Sequence, residues 1–119
     1  MDSPTSNLLR DLKKRLGVLN IPIHFKLPDT SVVEPFLVVG GITSDTSKTA
    51  QTGLIIEDST IQIDIFLPGS KSRVYAENIK SQAIRLLGRN RRMTSTILMD
   101  NSIGREVYHI VIKTTETIF

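Results

Sequence analysis

"STIQIDIFLPG", residues 59–69, places Ile61, Ile63, Ile65 and Leu67 on one side of an extended chain. Thr60, Gln62, Asp64 and Phe66 fall on the other side. That alternation is the period-two signature of a β-strand with one face on a core, and Pro68 and Gly69 end it. A strand of this kind needs neighbours for its hydrogen bonds and a layer to cover its apolar face. The rest of the chain supplies both.

Upstream lies "PFLVVGGI" (35–42), a more apolar, β-branched run that reads as a central strand. Its glycine pair lacks the spacing of a phosphate-binding loop and suits a bend or bulge. Before it, "IPIHFKLP" (21–28) is bounded by Pro22 and Pro28 and reads as a short edge strand. Between the two apolar strands, Ser44 to Gly53 has no periodicity, so they read as arms of an antiparallel hairpin with an overlong polar tip at about 43–54.

Two helices complete the inventory. Leu8, Leu9, Leu12 and Leu16 recur at helical spacing over 3–16, with a basic last turn and Gly17 at the stop. Tyr75, Ala76, Ile79, Ala83, Leu86 and Leu87 form the apolar stripe of a second helix over 72–87, stopped by Gly88. "TSTILM" and "REVYHIVIKT" then read as two strands around a turn at Asn101–Gly104, with Tyr108, Ile110 and Ile112 on one face and His109, Val111 and Lys113 on the other. The expected fold is one α+β domain over 1–119, with an antiparallel or mixed sheet of four to five strands and both helices on one face.

The chain has 119 residues, enough for one core and not for two. Hydrophobic content of 39% and charged content of 23% exclude chain-wide disorder. The apolar runs are too short to cross a membrane, and the amphipathic N-terminus lacks a signal-peptide core, so a cytoplasmic location is expected. The absence of cysteine removes disulfides and thiolate chemistry, and two histidines make a histidine-rich metal site a poor expectation. No cofactor is expected.

Catalytic signals are weak. Glu57 and Asp58 are strand neighbours and point to opposite faces. His24 and His109 lie on separate strands without a serine nucleophile motif, so a hydrolase built on Asp64, Glu57 and a histidine is the poorest of the readings. Charge is more suggestive: Lys71, Arg73, Lys80, Arg85, Arg89, Arg91 and Arg92 stand against Glu77 alone between 71 and 92. Such a stretch suits a phosphate backbone, an acidic protein partner or a solvated face. Few aromatic residues are available to stack bases, so a small basic nucleic-acid-binding module is the alternative function. Phe66, on the outer face of its strand, is either an isolated exposed side chain or part of a subunit interface.

In its order of elements the chain resembles the tail terminator, or tail-completion, proteins of long-tailed siphophages. The resemblance rests on the N-terminal helix, "IPIHFKLP", "PFLVVGGI", the polar insertion, "STIQIDIFLPGSKS", "VYAENIKSQAIRLL" and the final strand pair. It implies a non-enzymatic subunit of a homo-oligomeric ring, commonly hexameric, at the head-proximal end of the tail. Such a ring caps the major tail tube protein, stops its polymerisation and docks the head through a head-completion or neck protein. A head-completion or connector-stopper role is the neighbouring possibility. The implied location is the virion, after assembly in the bacterial cytoplasm. On this reading Asp45, Thr46, Ser47, Lys48, Thr49 and Gln51, with Phe66, face the tube or the next subunit. Arg85, Arg89, Arg91 and Arg92 face acidic partners or, without sequence specificity, DNA in the lumen.

Overall fold

A computed structural model describes residues 4–45, 57–88, 92–102 and 104–118. The elements run α1 (Pro4–Leu16), a 3-10 turn (Gly17–Leu19), β1 (Ile23–His24), β2 (Phe36–Asp45), β3 (Glu57–Pro68), α2 (Arg73–Leu87), β4 (Arg92–Asp100) and β5 (Val107–Ile118). The strands form one sheet in the order β1-β2-β3-β5-β4. Only β1 is parallel to its neighbour, so the sheet is mixed. The α+β class and the helix–strand order expected from the sequence are those observed.

Local chemistry sets the helix ends. Lys13, Lys14 and Arg15 occupy the last turn of α1, where the carbonyl end of the helix favours cations. Asn20, in the left-handed region at φ 57°, donates its N–H to the Gly17 carbonyl and turns the chain toward β1. The Ser72 side chain accepts from the Tyr75 N–H at 3.1 Å and caps α2. Gly88, at φ 101°, ends it in a conformation that a side chain would strain.

One sheet face carries the main core. Leu37 and Val39 of β2, Ile61, Ile63, Ile65 and Leu67 of β3, and Ile110 and Ile112 of β5 pack beneath Leu8, Leu12 and Leu16 of α1 and Ala76, Ala83 and Leu87 of α2. Both helices therefore lie on the same face. The alanines let α2 approach closely, and truncating a leucine such as Leu12, fully buried, would cost about 2–5 kcal/mol.

The opposite face carries a smaller cluster of Phe36, Val38, Phe66 and Val107, with Val32 packed against it. Here the structure corrects the sequence: Phe66 does face away from the helices, but it is buried, at 5% exposure. Its ring stacks on Phe36 at 5.0 Å and on His109 at 4.4 Å. The segment between β1 and β2 is held over this end of the sheet by Arg105. Its Nε donates to both Glu34 carboxylate oxygens (2.8 and 3.1 Å), Nη1 to the Thr30 carbonyl (2.7 Å) and Nη2 to the Val32 carbonyl (2.6 Å). Glu34 is 4% exposed through its side chain, and this fork supplies hydrogen bonds to both of its carboxylate oxygens.

The extra residue between Gly40 and Thr43 is a bulge: Gly40 pairs with Gln62, and Thr43 with Thr60. Beyond it β2 continues to Asp45, opposite Asp58. Thr43, Ser44 and Asp45 therefore belong to the ladder and not to the hairpin tip in which the sequence placed them.

Arg105→Ala should destabilise the protein by about 3 kcal/mol, because it leaves the Glu34 carboxylate buried without a cation. Arg105→Lys should recover only part of this, since an ammonium cannot reproduce the planar fork; urea unfolding of the three proteins checks both. At Gly69, an added Cβ would run into the backbone carbonyl of Glu106. Gly69→Ala should cost about 1–3 kcal/mol, whereas Gly17→Ala, with nothing within 4 Å of the new Cβ, should not lower the midpoint.

Candidate assembly surface

The sheet face away from the helices is built in register. Phe36, Phe66, His109 and Leu98 form one row across β2, β3, β5 and β4. The next row toward the hairpin holds Val38, Asp64, Val111 and Thr96, and the row on the other side holds Pro68, Val107 and Asp100. His109 reaches diagonally both ways. Its Nε2 lies 2.7 Å from Asp64 Oδ1 and its Nδ1 2.9 Å from Asp100 Oδ2.

Two carboxylates on two ring nitrogens fix the protonation state, because only the imidazolium donates from both. Burial pushes the His109 pKa down, but the hydrogen bonds it donates to Asp64 and then Asp100, with the charges of those carboxylates, outweigh it and raise the pKa above its ordinary 6.5. Asp100 is held below its ordinary 3.8, first by the Ser102 backbone N–H and the Ser102 side chain, then by His109. Gln62 Nε2 donates to both Asp64 oxygens, at 3.0 and 3.1 Å. As the imidazolium, with both nitrogens donating, the ring has no lone pair to accept a substrate proton. The arrangement ties three strands together and is not set up for general-base catalysis.

The residues of the hydrolase reading separate. Asp64 and His109 meet, but Glu57 pairs with Ile118, seven positions along β3 from Asp64, a distance of about 23 Å at ordinary strand rise. Asp100, Glu34 and Arg105 were missed by the sequence reading. The signal for Glu34 was available: an acid placed just before the most apolar strand demands a buried partner. His24 lies on β1, edge-on to Phe36 at 5.9 Å.

Among the described residues, those expected to face partners do not share one surface. Asp45 sits in the ladder, while Thr46, Ser47, Lys48, Thr49 and Gln51 lie outside the described residues, as do Arg89 and Arg91. Arg85 is exposed on α2, beside a shallow recess lined by Val18, Leu19, Gln82 and Leu86. Arg92 is exposed at the start of β4. Because Met93 packs on the helix side, strand alternation puts Arg92 on the opposite face of the sheet from Arg85.

Part of the basic stretch is also engaged within the chain. Arg73 and Lys80 both bind Glu77, and Lys80 first, then Arg73, hold its carboxyl below the ordinary range against an opposing burial effect. Lys71 lies over the Tyr75 ring at 5.6 Å.

No family model matches the chain, and no curated protein is significantly similar to it. Among the described residues, no helix is long and apolar enough to cross a membrane, and no group of three or more ligands is arranged to hold a metal ion.

The His109 tie should give stability a distinct pH profile. Its pKa is raised in the folded state, so its contribution is complete below about 6.5 and is lost as pH rises through the folded value. The Asp100 contribution is present above about 3.8 and is lost as pH falls through its lower folded value. Urea midpoints should therefore decline as pH rises from about 6.5 through the raised folded-state pKa of His109. His109→Gln should be less stable near pH 6 and show no such decline, which separates titration from simple loss of packing.

Proposed function

We propose that the chain is a structural subunit of a ring that closes the head-proximal end of a siphophage tail tube and presents a surface for head docking. One feature supports this reading above the others. The β2–β3 hairpin continues to Asp45 and Glu57, beyond Val39 and Ile61 of the main core, and its strands are joined by residues 46–56, mostly polar in sequence as far as Gly53. A capping subunit needs such a feature, because it must hold its own fold while reaching a tube subunit or its neighbour in the ring.

The physical division of labour follows. The helices and β3–β5 keep the body folded without help from the tip. A polar insertion adds little closure entropy to the free subunit, since that cost grows only with the logarithm of length. On assembly the tip supplies contact area to the tube or to the next subunit. Ring closure uses a heterologous contact, one surface of each subunit against a different surface of the next, and six repeats of one rotation close it. The exposed guanidinium of Arg85 belongs to the neck or lumen side, where attraction to acidic partners or DNA falls with salt.

The tip is testable apart from the fold. Deletion of Thr46–Gln51 leaves the paired residues Asp45 and Asp58 in place and should preserve the circular dichroism spectrum and melting temperature. In electron micrographs of purified tail tubes, the intact protein should add a terminal ring and block elongation, and the deletion variant should do neither. Capping by the variant would refute the role of the tip. Failure of the intact protein to bind tubes would refute the proposed function itself.

A further inference from the structure

The two edges of the sheet are built differently. β1 is two residues long, and Pro22 and Pro28 flank it, so that edge offers little to pair with. β4 is nine residues long, has no proline, and carries no charge between Arg92 and Asp100. Its inner side pairs with β5 along its whole length, and its outer side pairs with no described strand. An edge of this length without proline, bulge or central charge lacks the features that prevent pairing with another chain.

Its sequence also specifies a partner. When RMTSTILMD is laid antiparallel against a second copy with Thr96 opposite Thr96, Arg92 falls opposite Asp100 at both ends. Met93 then faces Met99, Thr94 faces Leu98, and Ser95 faces Ile97. Every pair joins residues of the same sheet face, because equal distances from Thr96 preserve strand alternation. Leu98 and Met99, 40% and 44% exposed on opposite faces of the strand, each gain a cross-strand neighbour. A parallel arrangement in register would put Arg92 beside Arg92 and Asp100 beside Asp100. A two-residue slip of the antiparallel one would break both opposite-charge pairs.

We propose that β4 is a self-pairing edge through which two copies of this chain join about a twofold axis at Thr96, giving one continuous ten-strand sheet with all four helices on the same side. The proposal goes beyond the ring reading and does not depend on it. A twofold contact closes on itself and does not propagate, so it describes the free subunit, whose bare edge is covered before a tail is available.

The test uses the full chain alone in solution. Sedimentation equilibrium should give twice the 13.3 kDa monomer mass. Thr96→Lys, at an exposed position, sets two ammonium groups opposite each other and should weaken the dimer on the order of fivefold, with an unchanged circular dichroism spectrum. Arg92→Glu should also weaken it, by placing like charges at both ends. Since the chain has no cysteine, Thr96→Cys should form a disulfide dimer on mild oxidation, whereas Thr94→Cys, four positions out of register with itself, should not. A monomer at every concentration, a closed ring of more than two copies, or a dimer indifferent to Thr96→Lys would overturn the proposal. So would crosslinking through Thr94→Cys and not Thr96→Cys. None of these outcomes bears on tube capping, which is measured on tail tubes.

Discussion

The register between β3 and β5 is the constraint on which the other features rest. Their twelve paired positions run from Glu57 opposite Ile118 to Pro68 opposite Val107. A slip of one residue on either strand would turn Ile63 and Ile65, or Ile110 and Ile112, out of the helix-covered core and set Asp64 or His109 into it. The apolar face thus enforces the pairing, and the pairing in turn creates the polar connection on the other side. Asp64, His109 and Asp100 come from three strands and meet only because the isoleucines beneath them fix the alignment. Burial energy from one face positions charge on the other.

The second face is held differently. Four aliphatic and aromatic residues are too few to cover themselves, so the cluster around Phe36 and Phe66 depends on a segment of irregular chain laid against it. Irregular chain carries backbone carbonyls that require donors. Arg105 supplies them for Thr30 and Val32 while neutralising Glu34. One guanidinium satisfies two carbonyls and a carboxylate, which a lysine has neither the geometry nor the number of directed donors to match.

Local patterns announced much of this architecture. Alternation in 60–67 and 107–113 and the helical stripes of 3–16 and 72–87 identified both layers and which side of each strand met the helices. Gly88 marked the end of α2, and Ser72, read as its first residue, is its N-cap. What escaped was long-range. Asp64 and His109 were both placed on outer faces, but nothing local says that β5 lies beside β3 with His109 opposite Phe66. Phe66 was read as exposed because period two assigns a face without saying what covers it. The polar letters of Thr43–Asp45 resembled loop, yet the ladder with β3 claims them, since backbone pairing imposes no demand for apolar side chains. For the residues expected to face partners the sequence showed charge but not placement, and Arg85 and Arg92 lie on opposite sides of the sheet.

The same connectivity has a consequence for biosynthesis. β3 sits in the middle of the sheet, but β5, which occupies one whole flank of it, leaves the ribosome last among the strands. The clamp closes a separation of 71 residues between Glu34 and Arg105. Until β5 emerges, the nascent chain holds a long strand with one satisfied edge and the isoleucine face only partly covered. High contact order of this kind slows folding and lengthens exposure to aggregation. Closure of the sheet therefore waits on β5, and β3 is the strand that stays half-paired until that long-range pairing forms.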